Sequence, residues 1–147
     1  MSLESAPNRH PDRSQTSSLD QLSVRLIRED ELGAWKQLMR EHHYLGFRAV
    51  VGESLFYVAE IEGRWAALLG WGAAALKCGS RDRYLGWSAE QKWGRLRYLA
   101  NNVRFLVLPG FHVPNLASKV LSLNVRRISA DFRGGPWPPH RALGDLR

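Results

Sequence analysis

Apolar residues alternate with polar ones at Leu22, Val24 and Leu26, which predicts a first strand. Asp30 then stands where a helix cap is expected, ahead of Leu32, Trp35, Leu38 and Met39 at helical spacing. That helix should end near His42-His43-Tyr44, before Gly46. Leu55, Tyr57, Ala59 and Ile61 alternate again, Glu62-Gly63 is a turn signal, and Trp65, Ala67, Leu69 and Trp71 alternate after it. This pattern predicts a β-hairpin. Its second arm is also apolar at Ala66 and Leu68, as suits a central strand. The small residues Gly70, Gly72, Ala73, Ala74 and Ala75 leave room for close approach of a helix or a ligand.

Arg81-Asp82 opens an expected loop that closes at Gly86-Trp87. Ser88 and Gln91 have capping-box spacing, and Trp93, Leu96 and Leu99 form the apolar face of a short helix ended by Asn101-Asn102. Val103–Leu108 is nearly all apolar and predicts a strand buried on both faces. Asn115 should cap a long helix with Leu116, Val120, Leu121, Val125 and Ile128 inward. Residues 1–20 are polar and are expected to form a disordered tail. Residues 132–147 are dense in Gly and Pro and are expected to be irregular. One α/β domain, residues 21–131, lies between these tails.

The junction from Asn101 to Ser118 reads as strand, loop and helix start. Helix N-termini offer free N–H donors and a partial positive charge, so an anionic ligand group suits such a place. Asn115 and Ser118 are candidates there, although both residue types also cap helices without any ligand. Arg104, in the strand, can reach a phosphate or be a solvated edge residue. His112, in the loop, is a candidate general base.

Charge is unevenly placed. Of a net +7, residues 1–80 carry nine Lys/Arg against ten Asp/Glu, and residues 81–147 carry twelve against four. A basic half suggests a polyanion such as DNA or a phosphorylated cofactor, and an Arg-rich composition is the bland alternative. Within it, Arg81-Asp82 is either a functional pair, with Asp82 as base and Arg81 as phosphate clamp, or a loop ion pair. Trp87 and Trp93 lie near Arg81, Arg83, Lys92, Arg95 and Arg97 and can stack nucleobases. Core packing is the competing reading for Trp93. His42 and His43 point in different directions on a helix, so no shared metal site is expected. Cys78 is the only cysteine, which fits a reducing cytoplasm and a small buried thiol. No run of 18 apolar residues occurs, and no signal pattern opens the chain, so a cytoplasmic protein without membrane contact is expected.

Several blocks in order carry a resemblance. They are His42-His43-Tyr44-Leu45-Gly46; Leu68-Leu69-Gly70-Trp71-Gly72 with Lys77-Cys78; Arg81-Asp82 with Leu85-Gly86-Trp87; Asn101 through Pro109; Pro114-Asn115-Leu116-Ala117-Ser118; and Arg126-Arg127 leading to Asp131. Together they resemble the Druantia anti-phage system protein DruA family, a transposase-associated domain of unknown function. The resemblance implies a bacterial, DNA-associated defence or mobile-element protein. Its implied partners are DNA and other defence-system or transposase subunits. The pattern is also distantly similar to GNAT-like and Mom-like acyltransferase folds, which implies a mixed sheet flanked by helices and, as an alternative function, acyl transfer to a small molecule, protein amine or DNA base.

Two departures qualify this. Similar members continue past the Asp131 position with a buried strand and a Tyr-x-Ala-x-x-Trp segment. Phe132–Arg147 reads instead as out-of-frame sequence, so an inactive remnant is expected, its sheet lacking the last strands and Val103–Leu108 left as an exposed edge. The second departure is the loop Gly110-Phe111-His112-Val113-Pro114. It lacks the Gly-rich pyrophosphate pattern, and Pro114 has no N–H, which disfavours acyl-CoA as cofactor.

Overall fold

Period-two and period-3.6 segments of this chain become four strands and their connecting helices in a computed structural model that describes residues 18–48, 54–74, 77–96 and 99–134. In chain order these are β1 (Leu22–Leu26), a 3-10 turn (Glu29–Glu31), α1 (Leu32–His42), β2 (Ser54–Ile61), β3 (Arg64–Ala73), α2 (Gly79–Leu85), α3 (Ala89–Arg95), β4 (Ala100–Val107) and α4 (Leu116–Gly134). The α/β class is as expected. The strands form one sheet in the order β1-β2-β3-β4, and all three pairings are antiparallel. The parallel pairing that would make the sheet mixed and GNAT-like is not found among the described strands.

The hairpin forms where Glu62-Gly63 predicts it. Both residues take positive φ, 52° and 74°, as a two-residue hairpin turn with the right twist requires. β3 is central, paired with β2 on one side and β4 on the other. Its register slips twice. Ala59 faces Ala67 while Glu60 faces Trp65, so Ala66 is an extra residue. Gly70 faces Arg104 while Trp71 faces Asn102, so Val103 is an extra residue in β4.

Each sheet face buries a different helix. On one face Trp35 and Met39 of α1 pack with Phe56, Val58, Leu68 and Leu108. Trp35 Nε1 donates to the carbonyl of Tyr57 at 3.0 Å, so the buried indole is satisfied. A Cβ on Gly70 would lie 3.5 Å from the Trp35 ring, so the space beside that small residue is taken by a helix side chain. On the other face Leu116 and Val120 of α4 pack with Leu55, Tyr57, Ala59, Ala67 and Leu69.

Several expectations are corrected. Asp30 is exposed within the 3-10 turn and does not cap α1. Glu31 fixes this entry instead, accepting from the Arg28 amide at 2.9 Å and from both terminal nitrogens of Arg25 at 2.8 Å. Arg81 and Asp82 lie in α2 rather than in a loop, and Gly86 ends that helix with φ 61°, the left-handed conformation glycine accepts. Asn101 and Asn102 belong to β4, where the Asn102 amide donates to the carbonyl of Gly70 and so covers the slipped register. Residues 103–107 of β4 are half-buried rather than fully buried, because β4 pairs only with β3 among the described strands.

In α4, Leu121 and Val125 are 38% and 50% exposed, and Asn124 takes the inward place at 0%. The helix continues past Asp131 to Gly134, and Phe132 packs against the core. At the other end residues 18–20 are helical and Leu19 packs against the same core. The rest of both expected tails lies outside the described residues.

Candidate nucleic-acid interface

The chain between β3 and β4 makes a corner of two seven-residue helices, α2 and α3. Ser88 starts α3 with the capping box its sequence announced: its hydroxyl accepts from the Gln91 amide at 3.2 Å, and Gln91 accepts from the Ser88 amide at 3.0 Å. Neither helix buries a residue completely. Asp82 holds the two together. Its carboxylate accepts from Arg81 Nη2 at 2.7 Å and from Lys92 Nζ at 2.6 Å. Those bonds, first from Lys92 and then from Arg81, hold its pKa below the ordinary carboxylate value. The same two cations that lower its pKa fasten α2 to α3 through Asp82.

Aromatic rings stand out from the same corner. Tyr84 is 90% exposed and Trp93 is 70% exposed. The core position expected for Trp93 is therefore corrected: α3, seven residues long with none buried, leaves the indole in solvent. Trp87 is half-buried, with the Arg95 guanidinium 5.8 Å from its ring centroid, within cation–π range. Arg83 and Arg95 are exposed and make no ion pair among the described residues. The side chain of Arg97 is outside the described residues. The corner thus exposes two aromatic side chains, Tyr84 and Trp93, and two arginines, Arg83 and Arg95.

A family model described as Druantia protein DruA matches residues 10–135. The chain belongs to the DruA family. No curated protein matches it, and no solved structure does. The DruA match takes in the whole described body, including the α2–α3 corner, β4 and the start of α4.

The remaining candidates of this DruA-family chain are not gathered at the corner. β4 runs away from it for eight residues, which at about 3.4 Å per residue puts the β4–α4 junction roughly 25 Å off. Asn115, Ser118 and His112 lie at that far end, all exposed. Asn115 has φ 62°, and its carbonyl accepts from the Lys119 amide at 3.0 Å. Asparagine tolerates this left-handed conformation better than most residues, which gives its place a local reason. In the Gly110–Pro114 loop the Phe111 amide is taken by the Leu108 carbonyl, and Pro114 has none, so the loop does not present the row of donors that pyrophosphate needs.

Arg104 sits between the two ends. Its Nε donates to the Gly46 carbonyl at 3.2 Å and its Nη1 to its neighbour Val103 at 2.6 Å. It therefore ties the segment after α1 to β4 rather than reaching outward. Burial, and then the nearby Arg104 charge, lower the pKa of His43. Its Nδ1 accepts from the Leu45 amide at 3.2 Å, and its ring stacks on Tyr44. His42 instead lines an open groove of about 460 Å³ with Leu38, Arg64 and Phe111. Cys78 is half-buried at the start of α2. Among the described residues no cluster of His, Cys, Asp or Glu is arranged to hold a metal, and no helix is long and apolar enough to cross a membrane.

One arrangement went unnoticed in the sequence. Asp131 accepts from the Tyr57 hydroxyl at 2.7 Å and from Arg127 Nε at 2.7 Å, while Arg127 Nη1 donates to the Val24 carbonyl at 2.8 Å. Burial raises the Asp131 pKa, but the bonds from Arg127 and Tyr57 outweigh it and leave it lowered. Burial, then Asp131, push the Tyr57 phenol above its ordinary value. The four-residue spacing of Arg127 and Asp131 was visible as a helical pair. Its role in fastening α4 to β1 and β2 was not.

Proposed function

We propose that this DruA-family chain is a nucleic-acid-binding component of an anti-phage defence system, working with further defence or transposase subunits in the cytoplasm. The α2–α3 corner is its contact surface. The observation that carries this reading is Trp93, a large ring 70% exposed on a short helix that also exposes Arg95. A stacked base would cover that ring. Family membership supports the defence setting, and the basic half of the chain supports a polyanion.

The test is anisotropy of labelled DNA titrated with the purified chain at about 50 and 200 mM salt, the range over which counterion release is felt. Binding that weakens with salt, and weakens further in the charge reversals Arg83→Glu and Arg95→Glu, is the expected result. Absence of binding at low salt rules the reading out.

A further inference from the structure

We infer that the α2–α3 corner selects unpaired nucleic acid, stacking bases on Trp93 and Tyr84, rather than duplex. The inference rests on the nucleic-acid reading above and deepens it.

Three observations favour single strands. The first concerns access. A duplex presents phosphates and base edges, and keeps its base faces inside the stack. The exposed faces of Trp93 and Tyr84 have no partner there, whereas every unpaired base offers a face of its own.

The second concerns charge. Among the described residues α2 and α3 carry four basic side chains, but Asp82 engages Arg81 and Lys92 at 2.7 and 2.6 Å. Arg83 and Arg95 are the basic residues of these two helices outside that clamp among the described residues. Proteins that hold duplexes through the backbone use roughly 6–10 phosphate contacts. Two cations fall far short of that number, so the corner needs a non-ionic source of affinity. Stacking supplies it, at roughly 5- to 150-fold per base.

The third concerns shape. Seven residues make a helix only about 10 Å long, and α3 carries Glu90 in its first turn, where a groove-reading helix would meet phosphates. Neither helix suits insertion into a major groove. A flexible single strand can instead follow the corner's contour.

The experiment compares a 15-nucleotide oligo(dT) with a duplex of the same length on the full chain, reading both anisotropy and tryptophan fluorescence. Oligo(dT) should bind at least tenfold tighter and quench the emission. Trp93→Leu should weaken oligo(dT) binding by roughly 5- to 150-fold and remove most of the quench. Trp93→Phe, which keeps a stacking face, should stay within about threefold of the parent. A circular-dichroism melt confirms that both variants fold, as replacement of an exposed ring allows. Equal or tighter duplex binding, untouched by Trp93→Leu, overturns the single-strand inference and leaves nucleic-acid binding standing. Loss in Trp93→Leu that Trp93→Phe does not restore overturns stacking as its basis. Failure of both nucleic acids to bind removes the broader reading as well.

Discussion

Trp71 Nε1 donates to the Oδ1 of Asn124, a fully buried asparagine, at 2.6 Å. The pair joins the central strand to α4. Removing Asn124 strands the indole N–H. Removing both polar groups strands nothing.

Asn124→Leu alone should therefore destabilise the chain by about 1–3 kcal/mol, the range for an unpaired donor left behind in a protein interior. Trp71→Phe in the same background should give back part of the loss. Urea unfolding of both single variants and the double variant checks this as a thermodynamic cycle. Strict additivity would mean that the 2.6 Å contact contributes nothing.

Acid should loosen the first turn of the fold before the rest. The guanidinium of Arg25, helped by the Arg28 amide, pulls the Glu31 carboxyl down to about 2 from an ordinary 4.5, against its burial. A folded pKa below the unfolded one means stability that is complete above about 4.5 and is lost as pH falls towards 2. The melting temperature should drop through that window. Glu31→Gln should start lower and lose the Glu31 share of the drop. Parallel pH curves for the two proteins would show that Glu31 is not the sensor.

Asp82 should restrain nucleic-acid binding as well as organise the corner. Asp82→Asn keeps the shape and removes the charge that engages Arg81 and Lys92. Each additional phosphate contact on a single strand steepens the salt slope by about 0.7, so the variant's slope should rise by up to about 1.4. Affinity at low salt should rise with it. An unchanged slope would mean that neither cation reaches a phosphate.

Local patterns carried much of this fold. The hairpin, β1, the α3 capping box and the register of α1 are all set by residues within a few positions of one another. Elements decided by distant partners were not legible. The inward face of α4 is one: Asn124, Arg127 and Asp131 find Trp71, Val24 and Tyr57, 53 to 103 residues away, and those bonds roll Leu121 and Val125 outward. Asn101-Asn102 is another, since two helix-ending residues serve equally well on a strand whose partner needs an amide. At the corner the residue types were legible, but exposure was not. A tryptophan at helical spacing reads as core until the helix proves to have nothing to pack against.

The extra residue at Val103 also acts as a frame boundary within β4. From Arg104 onward, even positions face α1 and odd positions face α4; across the slip the parity reverses, and Asn102 comes to share a side with Trp71. The half of the strand that supports the core is thereby insulated from the half that leads back to the α2–α3 corner. One residue gained or lost on the corner side changes which side chains that half displays, while Phe105 and Val107 keep their places. The connection can vary in length, and the corner's surface with it, without rewriting the sheet beneath.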